Sequence, residues 1–218
     1  MLSQPDESWN IKRHNRQLCN EEQSWYYYLT EVALRRISNR IKNTFYQQKP
    51  EWWMNISPLI PIAIEFEAQI ATWSASLPPV MQHYEKPVSL EVAVIGTPTE
   101  GQSSASKELS WATGNRLLEM KSWLYQPFLY YAVHRASRSI GELFPDQEMA
   151  LQTLAASGIE CNIKTVEDRS LHHRHHEIWY DVRALITATL ILVAAAKSGN
   201  IKIPGGLFGD GEVWRERQ

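Results

Sequence analysis

Apolar residues recur along most of this chain three and four positions apart, the spacing of an α-helix. Between residues 25 and 47 no Pro or Gly intervenes, and Tyr27, Leu34, Ile37, Ile41 and Phe45 fall on one narrow stripe. Trp25, Leu29 and Val32 fall on the opposite side. A helix apolar on two faces in its first half is expected to be sandwiched between neighbours. Its second half turns Arg35, Arg36, Asn39, Arg40 and Lys42 away from the stripe. Ser24 is a fair N-cap for it, and residues 1–23 read as a polar lead-in with one helical turn.

Pro50 ends this helix, and Pro58 with Pro61 prepares the next start. The second helix covers residues 59–76, with a stripe of Ile62, Phe66, Ile70 and Trp73, and Leu77-Pro78-Pro79 stops it. Residues 79–106 are rich in Pro, Gly, Ser and Thr and read as one long mobile loop, with a short extended piece over 88–95. A third helix covers 107–139. Leu117, Leu124, Phe128 and Tyr131 share its face, Leu118, Tyr125, Leu129 and Ala132 lie beside them, and Pro127 is expected to kink or restart it. Asp146 is a good N-cap for a fourth helix over 146–171 through Met149, Leu154 and Cys161, which Gly158 weakens. The last helix covers 173–198, with Trp179, Val182, Ile186, Leu190 and Val193 in phase and Gly199-Asn200 as its stop.

No sustained alternation of the strand type competes with these helices. The expected fold is all-α: an irregular multi-helix array with long buried helices and one long mobile loop. A helical domain over 24–200 would follow the polar segment 1–23 and precede an irregular tail, 201–218.

Composition narrows the function. The 218 residues are 44 % hydrophobic and 21 % charged, enough for a sizeable core. Nine Trp and nine Tyr are unusual. Their plain reading is burial, since such rings cover large areas while keeping a polar tip. A net charge of −2 argues against direct nucleic-acid binding, which draws its affinity from neutralising phosphates. The basic cluster at Arg35, Arg36, Arg40 and Lys42 reads as a solvated helix face. Two cysteines, Cys19 and Cys161, exclude a disulfide framework and any zinc module built on four to six thiolates. The start has no secretory signal character. The most apolar stretch, 184–196, is shorter than the roughly 20 residues a bilayer span needs. It is expected to be a buried core helix, with no membrane partner.

The loudest chemical feature is His172, His173, His175 and His176. On a helix, His172 and His176 stand four apart and could share a metal. A zinc-protease motif would place Glu directly after the first ligand, whereas Glu177 follows the last, so no metal site is assigned. Cys161 sits among apolar residues and reads as a small buried hydrophobe. Glu65 and Glu67 point in different directions at that spacing. There is no nucleophile elbow, phosphate loop or dinucleotide fingerprint, so no catalytic residue, cofactor site or enzymatic activity is expected.

Four segments stop being generic. Residues 24–41 read Ser-Trp-Tyr-Tyr-Tyr-Leu-Thr-Glu-Val-Ala-Leu-Arg-Arg-Ile-Ser-Asn-Arg-Ile. Then come Glu65-Phe66-Glu67-Ala68-Gln69 through Trp73 to Leu77-Pro78, and Trp123-Leu124-Tyr125-Gln126-Pro127-Phe128-Leu129-Tyr130-Tyr131. The fourth runs from His175-His176-Glu177-Ile178-Trp179 through Arg183 to Ala194-Ala195-Ala196. In this order they resemble the middle regulatory region of fungal binuclear-zinc-cluster transcription factors, over roughly residues 24–200. The resemblance implies a nuclear, helical domain that modulates activation, sometimes in response to a small molecule. The six-cysteine DNA-binding cluster of that family is missing here, and Gln126 stands where many members have a basic residue. The expected function is a transcription-regulatory fragment acting through protein partners or self-association. A small-molecule-sensing module is the alternative, and an uncharacterised enzyme is the weakest reading.

Overall fold

The computed structural model describes residues 7–47, 49–77, 104–137, 143–171 and 178–201. They are all-α, with no strand among the described residues. Helix α1 is Glu7–Phe45, α2 Leu59–Ala75, α3 Ser104–His134, α4 Pro145–Leu171 and α5 Ile178–Ser198. Short 3-10 turns follow α1 at Pro50–Met54 and α3 at Arg135–Ser137. The expected loop over 79–106 lies outside the described residues up to Ser104, where α3 begins.

Two compact units emerge, and α1, α2 and α3 each contribute to both. One comprises Met1–Ser38 and Ile70–Gly114, the other Asn39–Gln69 and Asn115–Gln218. In the first, the buried apolar residues are Tyr27, Leu34, Ile70, Trp73 and Leu77. Tyr27 and Leu34 stand seven apart, two turns of α1, and Ile70, Trp73 and Leu77 follow at three and four, the stripe periodicity read from the sequence. The α1 helix begins at Glu7, well before Ser24, so Ser24 is an interior position and not a cap.

The second unit holds the larger core. Phe45 of α1 meets Phe66 of α2 and Phe128 of α3, its ring centroid 6.1 Å and 6.2 Å from theirs, and Ile41, one turn earlier in α1, is likewise fully buried. Each such fully buried side chain contributes roughly 1.5–3 kcal/mol relative to exposure. In α2 the buried line is Leu59, Ile60, Ala63 and Phe66, and Ile62, expected on it, is exposed. The whole α3 face named from the sequence is buried apart from Leu118, which is half-buried.

Helix α3 runs unbroken through Pro127. Proline there has no N–H for the carbonyl four residues earlier, that of Trp123. The Tyr46 hydroxyl reaches that carbonyl at 2.8 Å, with Gln126 Oε1 at 2.9 Å as its other neighbour. A side chain from α1's end thus satisfies the acceptor, and the expected restart does not occur. The start of α4 also differs by one residue. Pro145 occupies the first helical position, where its missing N–H costs nothing, and Gln147 Oε1 accepts the Phe144 N–H at 3.3 Å.

Gly158 of α4 packs directly against α3. A Cβ built there would lie 2.8 Å from Leu129 Cδ1 and 2.9 Å from Tyr125 Cβ, so only glycine fits. Leu129, Ala155, Ile159, Leu192 and Ala195 then form one cluster joining α3, α4 and α5. Gly199 closes α5 with φ +66°, and Asn200 Nδ2 donates to the Ala132 carbonyl at 3.2 Å.

Candidate interaction surface

Helix α5 is apolar on two sides, and only one of them is packed. Asp181, Ala188, Leu192 and Ala195 form the buried side against α4. Trp179, Val182, Ile186 and Leu190, nearly opposite, are exposed, Trp179 by 70 %, and Val193 is half-buried. The sequence stripe that looked like a core face is therefore the outward face. Only 22 % of the most apolar window of α5 is buried, so the expected buried core helix is not what forms. The helix extends from Ile178 to Ser198, beyond the 184–196 stretch, and by length and composition alone is long and apolar enough to cross a membrane.

Beside the apolar cluster, a buried ion pair ties α5 to α4. Arg169 of α4 donates to Asp181 Oδ1 at 2.5 Å, with Arg169 9 % and Asp181 3 % exposed. The two charges are removed from water together, which holds only because each has the other. Asp181 Oδ2 has no hydrogen-bond partner among the described residues. Sequence reasoning missed this pair. Its signal was the single acidic residue of α5, Asp181, set in a largely apolar helix.

A second outward stripe lies on α1. Trp25, Tyr28, Leu29 and Val32 are all exposed, Trp25 by 64 %, and the Trp25 and Tyr28 rings meet edge to face at 5.9 Å. The expectation that this face is sandwiched is not met, because these side chains are exposed and no described residue covers them.

Most of the remaining aromatic residues serve the fold. Trp53 Nε1 donates at 2.8 Å to the carbonyl of Phe45, the last residue of α1, whose acceptor the helix leaves open. The Trp53 ring meets Tyr46 at 5.2 Å and Tyr130 at 5.6 Å, and Tyr130 meets His134 at 4.4 Å. Lys42 Nζ sits 3.5 Å from the centroid of Trp123. The basic face of α1 is likewise engaged: Arg35 pairs with Glu31 at 2.8 Å, and Arg40 donates to Gln69 at 2.7 Å while lying over Phe66.

The groups weighed for chemistry are dispersed. Cys161 is buried, its Sγ–H donates to the Leu118 carbonyl at 3.2 Å, and burial pushes the thiol up to about 12. A neutral thiol of this kind is a poor nucleophile. Glu65 accepts from Gln69 and Glu67 from the Tyr125 hydroxyl, so the two carboxylates do not act as a pair. Burial, reinforced by the hydrogen bond to Glu67, raises the Tyr125 hydroxyl above its ordinary range. The stretch holding His172, His173, His175 and His176 lies outside the described residues, and among the described residues no three His, Cys, Asp or Glu gather as metal ligands.

No protein-family model, curated protein or solved structure matches this chain.

Proposed function

We propose that the chain is a helical regulatory module that works by protein contact, of the kind found in fungal zinc-cluster transcription factors, and that it acts in the nucleus. The observation that carries the contact role is the pair of outward apolar stripes on α1 and α5. Contiguous exposed apolar surface of this kind marks an interaction site far more often than idle surface. The transcriptional assignment comes from the four ordered sequence segments, and DNA binding would belong to a partner or to a separate module.

The sensor alternative asks the aromatic residues to line a ligand cage. Tyr46, Trp53, Trp123 and Tyr130 are instead engaged with one another, with Lys42 and with open helix carbonyls, which favours protein contact. A tethered reporter tests the reading. The chain fused to a heterologous DNA-binding domain is expected to change transcription of a reporter in yeast, and Trp25→Ser with Leu29→Ser to reduce that change. A fusion that is expressed, nuclear and without effect on the reporter contradicts it.

A further inference from the structure

We infer that the outward stripe of α5 docks on the same stripe of a second copy of this chain, antiparallel, with Ile186 on the two-fold axis. From Trp179 through Val182, Ile186 and Leu190 to Val193 the spacings are three, four, four and three. That order is the same read from either end. An antiparallel copy centred on Ile186 therefore sets Trp179 against Val193, Val182 against Leu190 and Ile186 against itself. Trp179 and Leu190 each meet a smaller valine, the arrangement that lets helix faces interdigitate, and Ile186 meets its own copy at the centre. A two-fold interface requires a self-complementary patch of this type.

Area and charge agree with this occupant. With Ile178 at its edge, the face presents on the order of 500 Å², so two copies would bury about 1,000 Å², the lower bound for a specific interface. The only acidic residue of α5, Asp181, lies on the packed side. Arg183 borders the stripe and falls level with Thr189 of the copy, so no like charges meet head-on. A bilayer is the poorer occupant. Asp181 and Arg169 fasten α5 to α4, which carries the exposed Glu160–Lys164 pair, so α5 would draw these charges towards the hydrocarbon. The α1 stripe spans only two turns.

The inference rests on reading α5 as a contact surface and not on the transcriptional role, so the reporter assay and the following test fail separately. Ile186 is exposed, so Ile186→Glu is expected to keep the wild-type circular dichroism, and to match the wild-type melting temperature at concentrations low enough to keep both monomeric. In light scattering of the full chain, wild type is expected to elute as a dimer, and Ile186→Glu to weaken association at least tenfold. In a Cys19→Ser background, Ile186→Cys is expected to give covalent dimers with a short bis-maleimide, whereas Val193→Cys reacts well only when mixed with Trp179→Cys. A monomeric wild type, a dimer that survives Ile186→Glu, or efficient Val193→Cys self-crosslinking overturns the proposal. So does binding of a monomeric chain to phosphatidylglycerol vesicles through this face.

Discussion

The Tyr46 hydroxyl stands 2.8 Å from the Trp123 carbonyl, the acceptor that Pro127 leaves without a backbone donor. A tyrosine at the end of α1 thereby repairs a gap in the hydrogen-bond ladder of α3. Tyr46→Phe is expected to destabilise the protein by about 1–3 kcal/mol, the cost of a part-buried acceptor left open. Pro127→Ala restores the backbone donor, so the same Tyr46→Phe change is expected to cost less in that background. A double-mutant cycle by urea denaturation measures the difference, and strict additivity would show that the two residues are not coupled.

The Arg169–Asp181 pair behaves differently from a surface salt bridge, because both partners are almost fully buried. Removing one leaves the other charged and uncompensated, so Asp181→Ala is expected to cost about 3–5 kcal/mol. Replacing both, with Arg169→Met and Asp181→Leu, is expected to recover most of that loss. Thermal denaturation of the three variants gives the answer.

Gly158 is a position where helix propensity and packing oppose each other. Alanine would gain up to about 1 kcal/mol of propensity. Its methyl group would lie 2.9 Å from Tyr125 Cβ, an atom close to the backbone that cannot swing aside. The packing penalty is expected to win, and Gly158→Ala to lower stability by a net 1–2 kcal/mol or so in denaturant titration.

Cys161 and Glu148 each give the stability a pH dependence of known sign. Burial holds the Cys161 thiol near 12 against an ordinary value of 9.0. Its contribution is therefore complete below about pH 9 and is lost as pH rises from there towards 12. Cys161→Ala is expected to flatten that part of the stability profile, and native Cys161 to alkylate far more slowly than the unfolded thiol. For Glu148, burial opposes ionisation, but hydrogen bonds from Arg135 and Gln152 outweigh it and hold the carboxyl below its ordinary range. Its contribution is present above the ordinary carboxyl value and lost as pH falls through the folded one, so Glu148→Gln is expected to lessen acid destabilisation.

Periodicity in the sequence was a good guide to where helices form and a poor guide to which side they bury. Tyr27, Leu34, Ile41 and Phe45 were legible because α1 has one continuous buried stripe. On α5 two apolar faces compete, and the larger side chains, Trp179, Ile186 and Leu190, point outward while Ala188 and Ala195 pack. Small residues win there because α4 approaches closely, a fact that spacing along one helix does not contain. The buried side also carries Asp181, tolerable only through Arg169 twelve positions upstream. Pro127 misled for a similar reason: its repair comes from Tyr46, eighty-one residues away. The outward stripe of α1 was visible in the sequence as a second apolar face, but whether anything covers it depends on tertiary neighbours.

Sedimentation velocity of the full chain over a wide concentration range tests most directly whether these outward faces are contact surfaces. The account predicts a concentration-dependent dimer whose formation Ile186→Glu suppresses while the helix content stays unchanged. A single monomeric species at every concentration, for wild type and variant alike, would contradict it.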